Sequence, residues 1–101
     1  MKYDKLVRDK IPEIIRQKGK TPVIHTANDQ EYWQKLKEKL AEEVDEFLKS
    51  STEEELADIL EVLNTIIDFK KIDKEKLESL RKMKVKQRGG FKYKIILEET
   101  K

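Results

Sequence analysis

Two long segments of helical periodicity are separated by only four residues, Lys49-Ser50-Ser51-Thr52. A connection that short joins two helices as an antiparallel hairpin. Along the first segment Leu36, Leu40, Val44 and Phe47 recur at helical spacing, and along the second Ile59, Val62, Leu63 and Ile66 do the same. In such a hairpin, residues equidistant from the turn lie at the same height. Glu46 therefore faces Glu55, and Glu43 faces Asp58 one turn further from the loop. Within each helix the two acids are three residues apart, which puts them on one side. Glu43 borders the apolar stripe of its helix, Glu46 lies just outside it, and Glu55 falls inside the stripe of the next.

A carboxylate on an apolar face costs roughly several kcal/mol or neutralises itself through a raised pKa. Four converging carboxylates repel one another unless a hard divalent cation compensates them. Ligation by oxygen alone suits Mg²⁺, with Mn²⁺ as an alternative, rather than zinc. Glu43, Glu46, Glu55 and Asp58 are accordingly the expected metal ligands. Because 44% of the residues are charged, acid pairs at helical spacing arise freely on solvated faces. The mirrored placement and the acid inside an apolar stripe set these four apart and make the chain read as a metal-dependent enzyme acting on phosphates.

The length of 101 residues fits one domain, 1–101. With 37% apolar residues it buries a limited core alone, so self-association, at least to a dimer, is expected. The balance of 23 bases against 21 acids is not the signature of a dedicated nucleic-acid binder. Having no cysteine, the chain can use neither disulfides nor zinc–thiolate chemistry. It carries no apolar run of transmembrane length and no signal-peptide core. The expectation is a soluble cytoplasmic protein without a membrane partner.

The remaining pattern predicts two more helices and a short β element. Asp9 is placed to cap a helix with Pro12 in its first turn and a stop at Gly19. Lys20-Thr21-Pro22 reads as a turn and Val23–Thr26 as a β-prone stretch. Asn28 and Glu31 form a capping-box start for the first hairpin helix, which reaches about Leu48. Ser51 or Thr52 starts the second, which runs to about Phe69, and Asp73 caps a basic helix to about Gln87. After Gly89-Gly90, alternating Phe91, Tyr93, Ile95 and Leu97 read as a strand able to pair with Val23–Thr26. There is no internal repeat, low-complexity tract or linker.

Basic residues near both ends supply the second chemical feature. Arg8 and Lys10 stand where a loop enters a helix, and Lys86 and Arg88 precede the two glycines. Guanidinium groups and helix-start amides favour phosphate. Lys39, one turn before Glu43, is within reach either of a phosphate or, more simply, of Glu43 itself. His25, the one histidine, reads as a surface or packing residue, and Trp33 as a packing residue of the core or a dimer. Tyr93 has no clear role.

Glu42-Glu43-Val44-Asp45-Glu46 followed by Glu55-Leu56-Ala57-Asp58 resembles the EExxE…ExxD signature of the all-α, MazG-like nucleotide pyrophosphohydrolase superfamily. The opening Lys5-Leu6-Val7-Arg8-Asp9-Lys10-Ile11-Pro12 and the closing Arg88-Gly89-Gly90-Phe91 resemble one branch of it. That branch is described as phosphoribosyl-ATP pyrophosphohydrolase-like, or house-cleaning nucleotide pyrophosphatases. The resemblance spans nearly the whole chain. It implies an all-α helical bundle completed by oligomerisation, with Mg²⁺ on Glu43, Glu46, Glu55 and Asp58. It also implies cleavage of a nucleotide substrate between the α- and β-phosphates, giving a nucleoside monophosphate and pyrophosphate. In that chemistry the metal polarises phosphorus and lowers the pKa of a bound water. Either Glu42 or Glu46 orients or deprotonates that water. Arg8, Lys10, Lys86 and Arg88 neutralise the departing pyrophosphate. The rival expectation is a non-catalytic helical dimer that regulates or binds nucleic acid through the basic helix 73–88, although that reading leaves the acid on the apolar stripe unexplained.

Overall fold

The computed structural model describes residues 3–101, and their regular structure is entirely helical: α1 (Ile11–Gln17), α2 (Asp29–Ser50), α3 (Glu53–Phe69) and α4 (Lys74–Arg88). The helix limits follow from local chemistry. Asn28 Oδ1 accepts the Glu31 amide at 2.9 Å and so starts α2. The reciprocal half of the capping box is replaced, because the Glu31 carboxylate instead meets His25 Nε2 at 2.9 and 3.1 Å. Thr52 Oγ1 accepts the Glu55 amide at 3.3 Å at the head of α3. Asp73 accepts the amides of Glu75 and Lys76 at 2.9 and 3.2 Å at the head of α4.

The start of α1 differs from the sequence expectation. Its cap residue is Lys10, with no side-chain cap bond, rather than Asp9. A backbone turn takes over, the Ile11 amide donating to the Arg8 carbonyl at 3.0 Å. Pro12, which has no amide to satisfy, then follows within the first turn. The helix stops as expected. Gly19 has φ +80°, its amide donates to Arg16 O at 2.9 Å, and Lys20 N donates to Ile15 O at 3.2 Å. Those are the two bonds of a Schellman motif, and its left-handed position favours glycine.

The hairpin connection is tighter than the four-residue break. α2 continues to Ser50, and Ser51 closes it in the left-handed region at φ 56°, its amide on Phe47 O at 2.7 Å. Only Ser51 and Thr52 lie between the helices.

Two compact units divide the chain, one ending at Ile66 and the other running from Ile67 to Lys101. In the first, the α2–α3 hairpin buries Leu36 and Val62, and beside these two apolar side chains it buries one acid, Glu43. Leu40, Phe47, Ile59 and Ile66 are half-buried around them. Val44 and Leu63, expected on the inner stripes, are exposed instead. They join Leu48, Leu56 and Leu60 as exposed apolar residues of this hairpin. The second unit comprises the end of α3, α4 and the C-terminal tail.

No strand forms among the described residues. Val23–Thr26 and the segment 91–97 lack regular structure apart from a turn at the head of the latter, and Phe91, Tyr93, Ile95 and Leu97 are all strongly exposed. Alternation records which side chains suit a pleated surface. A ladder partner is still needed to satisfy the backbone. Among the described residues no helix is long and apolar enough to cross a membrane.

Candidate metal centre

The first unit brings Glu43, Glu55 and Asp58 together, with one carboxylate oxygen of each within 4.8 Å of the others. The residues come from facing turns of the hairpin: Glu43 from the middle of α2, Glu55 and Asp58 from the first turns of α3. Glu43 is 6% exposed, so a charged side chain occupies a place in the core. Glu43 Oε2 and Glu55 Oε2 are both buried without a hydrogen-bond partner. Buried polar atoms are ordinarily satisfied, and an orphaned carboxylate oxygen is costly. Two such atoms converging with a third acid match the donor set of a hard divalent cation.

Electrostatics point the same way. Burial pushes the Glu55 carboxyl above its ordinary pKa, and the neighbouring charges of Glu46, Asp58 and Glu43 push it further. Glu46 is thus close enough to act on Glu55, although it is exposed and lies outside the group of three converging acids. On Lys39, burial opposes the charge. Its contacts with Glu43 at 3.2 Å and Glu42 at 3.5 Å outweigh that effect and raise its pKa. The salt bridge to Glu43, the simpler of the two sequence readings for Lys39, is the one the structure contains.

An arm preceding α1 lies against this end of the hairpin. Lys35 Nζ donates to the Asp4 carbonyl at 2.6 Å, Lys5 Nζ meets Glu42 at 3.3 Å, and Arg8 Nη2 meets Asp58 at 2.7 Å. Among the described residues, Arg8 is thus the basic residue from the chain ends that touches an acid of the cluster. Both Glu42 oxygens are engaged, one by Lys5 and the other by Lys39. Lys10 is the exposed cap residue of α1. Lys86 and Arg88 occupy the last turn of α4 in the second unit, where both are exposed. His25 is an exposed surface residue paired with Glu31. Trp33 is half-buried, with Lys37 Nζ 5.4 Å from its ring centre.

The sequence reading missed Lys5 and Lys35. With Tyr3, Asp4, Leu6, Glu38, Lys39 and Glu42 they line a cleft of about 240 Å³ that shares Lys39 and Glu42 with the surroundings of the acids. A signal existed for Lys35. It lies four residues before Lys39 and seven before Glu42, hence on one helix face with them. The arm has no comparable periodicity.

Comparison with known proteins adds little to this geometry. A protein of Mycolicibacterium smegmatis, described as uncharacterized, is 57% identical over 47 residues, which make up 46% of this chain and 48% of that protein. The chain therefore spans about half the length of the curated relative it matches. No protein-family model matches, and no solved structure does.

Proposed function

We propose that the protein is a Mg²⁺-dependent nucleotide pyrophosphohydrolase, with Mn²⁺ as an alternative ion, acting between the α- and β-phosphates of a nucleoside triphosphate or a phosphoribosyl-ATP-like substrate. The observation that carries this reading is the pair of buried, unpartnered oxygens on Glu43 and Glu55 beside Asp58. Together with the EExxE…ExxD pattern, they make a divalent cation the natural occupant. A bound cation there supplies Lewis acidity toward phosphoryl oxygens and water. Glu43, Glu55 and Asp58 hold it, and Glu46 extends the same negative surface past Glu55.

Of the two candidate bases, Glu46 is the better placed. Glu42 has both oxygens tied to lysines, whereas Glu46 borders the acids through Glu55. Arg8 and Lys39 supply positive charge against the phosphates, and the cleft beside Lys39 offers room for part of the nucleotide. Lys10 is proposed as an outer phosphate contact. In this reading residues 1–101 act as a single pyrophosphohydrolase domain.

The active form is proposed to be at least a dimer. Leu56, Leu60 and Leu63 form an exposed stripe at helical spacing along α3, and Val44 and Leu48 are exposed on α2. An apolar stripe of that length is characteristic of a helix meeting a further helix. Pairing of hairpins across two subunits covers it.

The test is pyrophosphate release from a panel of nucleoside triphosphates with and without Mg²⁺, on the parent chain and on Asp58→Asn. Metal-dependent release that disappears in the variant, with helicity unchanged by circular dichroism, is the expected result. Equal turnover in the two proteins refutes the assignment of the site.

A further inference from the structure

The acids of the centre are not equally ready to receive a cation. Glu43 is more than nine-tenths buried, and its Oε2, like Glu55 Oε2, has no partner. Those two oxygens accept a cation without any existing bond being broken. Asp58 differs, because its Oδ1 already accepts a short charge-assisted bond from Arg8 Nη2 at 2.7 Å. Three carboxylates bring three negative charges, and Arg8 and Lys39 offset two of them. Glu46 beside Glu55 adds a fourth negative charge, and Glu42 shares Lys39. A divalent cation is therefore compensated there, but it competes with Arg8 and Lys39 for the carboxylate oxygens they hold. A resident cation that holds one of those oxygens withdraws when the divalent cation takes it.

Anchoring decides which one moves. Lys39 is on the same helix as Glu43, one turn away, is 18% exposed, and is held by Glu42 as well. Arg8 stands in the arm before α1, and its side chain is 57% exposed. Its guanidinium swings into solvent without opening the core, and its planar fork matches two phosphate oxygens at once.

We propose that Arg8 is the resident counter-ion of the acidic centre, released from Asp58 when a divalent cation is bound and then transferred to a phosphate of the incoming polyanion. The arm thereby couples metal loading to anion capture. This inference rests on the metal-centre reading above and adds an order of events to it. It also predicts effects of opposite sign for one substitution, which a purely structural role for Arg8 does not.

The experiment measures binding rather than turnover, on the full chain, for the parent, Arg8→Ala and a control, Arg16→Ala, which alters an exposed residue of α1. Mn²⁺ binding is followed by electron paramagnetic resonance, and inorganic pyrophosphate is then titrated onto the Mn²⁺-loaded proteins. Losing its competitor, Arg8→Ala binds Mn²⁺ about two- to five-fold more tightly than the parent, the range set by an exposed ion pair. The loaded variant binds pyrophosphate at least about ten-fold more weakly, as expected for one lost charge-assisted contact. Arg16→Ala changes neither. Unchanged or weaker Mn²⁺ binding in Arg8→Ala overturns the proposal, as does unchanged affinity for pyrophosphate. Should the parent itself bind no Mn²⁺, the metal-centre reading falls and takes this inference with it. A parent that binds Mn²⁺, beside a variant that gains nothing, removes the inference alone.

Discussion

Replacing Glu43 by Gln asks whether the buried acid is there for the fold or for a cation. The substitution keeps the shape of a side chain that is 6% exposed, so packing around Leu36 and Val62 is preserved. On the losing side, the ion pair with Lys39 at 3.2 Å becomes a neutral contact. Charged hydrogen bonds contribute about 1.5–3 kcal/mol and neutral ones about 1 kcal/mol, so the loss is roughly 1 kcal/mol. Lys39 keeps its contact with Glu42, which limits the damage. On the gaining side, the unpartnered Oε2 gives way to an amide that can donate to a neighbouring carboxylate. That removes a desolvation penalty of about 1–3 kcal/mol, and repulsion from the adjoining acids is relieved as well. In a chelating buffer the variant is therefore expected to equal the parent or exceed it by up to about 2 kcal/mol. At about 4 °C per kcal/mol for a chain of this size, the midpoint rises by between nothing and about 8 °C. Saturating Mg²⁺ or Mn²⁺ reverses the order. A ligand at a hundred times its dissociation constant stabilises the parent by about 2.7 kcal/mol, and the variant gains little. Thermal melts followed by circular dichroism, with EDTA and with metal, give all four midpoints. A variant clearly less stable than the parent in EDTA, with no metal effect on the parent, refutes the reasoning and makes Glu43 an ion-paired structural residue.

Glu55 gives a pH signature of definite sign. Its folded-state pKa is raised by burial and then by the charges of Glu46, Asp58 and Glu43, so between the ordinary and the raised value the folded chain binds more protons than the unfolded one. Stability of the metal-free protein therefore falls as pH rises through that window and is recovered as pH drops back below it. Melts of the parent and of Glu55→Gln across that range should differ by this slope; parallel curves would remove Glu55 from the acid cluster. Association is tested at Leu60, 60% exposed on the stripe of α3. Leu60→Glu should convert a dimer into a monomer in sedimentation, and a well-folded parent monomer at micromolar concentration would refute the dimer.

The periodicity of the helices and most of their caps and stops could be read locally, because each depends on a few neighbouring residues. Asn28, Thr52 and Asp73 cap helices as their positions suggested, and Gly19 ends α1. Even there the start of α1 shifted, since a backbone turn at Arg8 replaced a side-chain cap at Asp9. The alternation at Phe91–Leu97 specified side chains fit for a strand and said nothing about a partner, and no strand forms among the described residues.

The sequence of this protein determined that two helices would fold back on each other and that acids from both would meet near the turn. A short connection and a 3.6-residue repeat are sufficient for that. It did not determine the depth of each acid. Glu43, read as bordering the apolar stripe, is among the most buried residues described, while Val44 beside it is exposed. A rotation of α2 about its axis by less than one residue separates the two outcomes, and only packing against α3 sets that rotation. The arm was equally beyond a local reading. Asp4, Lys5 and Arg8 reach Lys35, Glu42 and Asp58 across separations of 31, 37 and 50 residues. Such pairings are fixed by the tertiary fold, because no periodicity links residues that far apart along the chain.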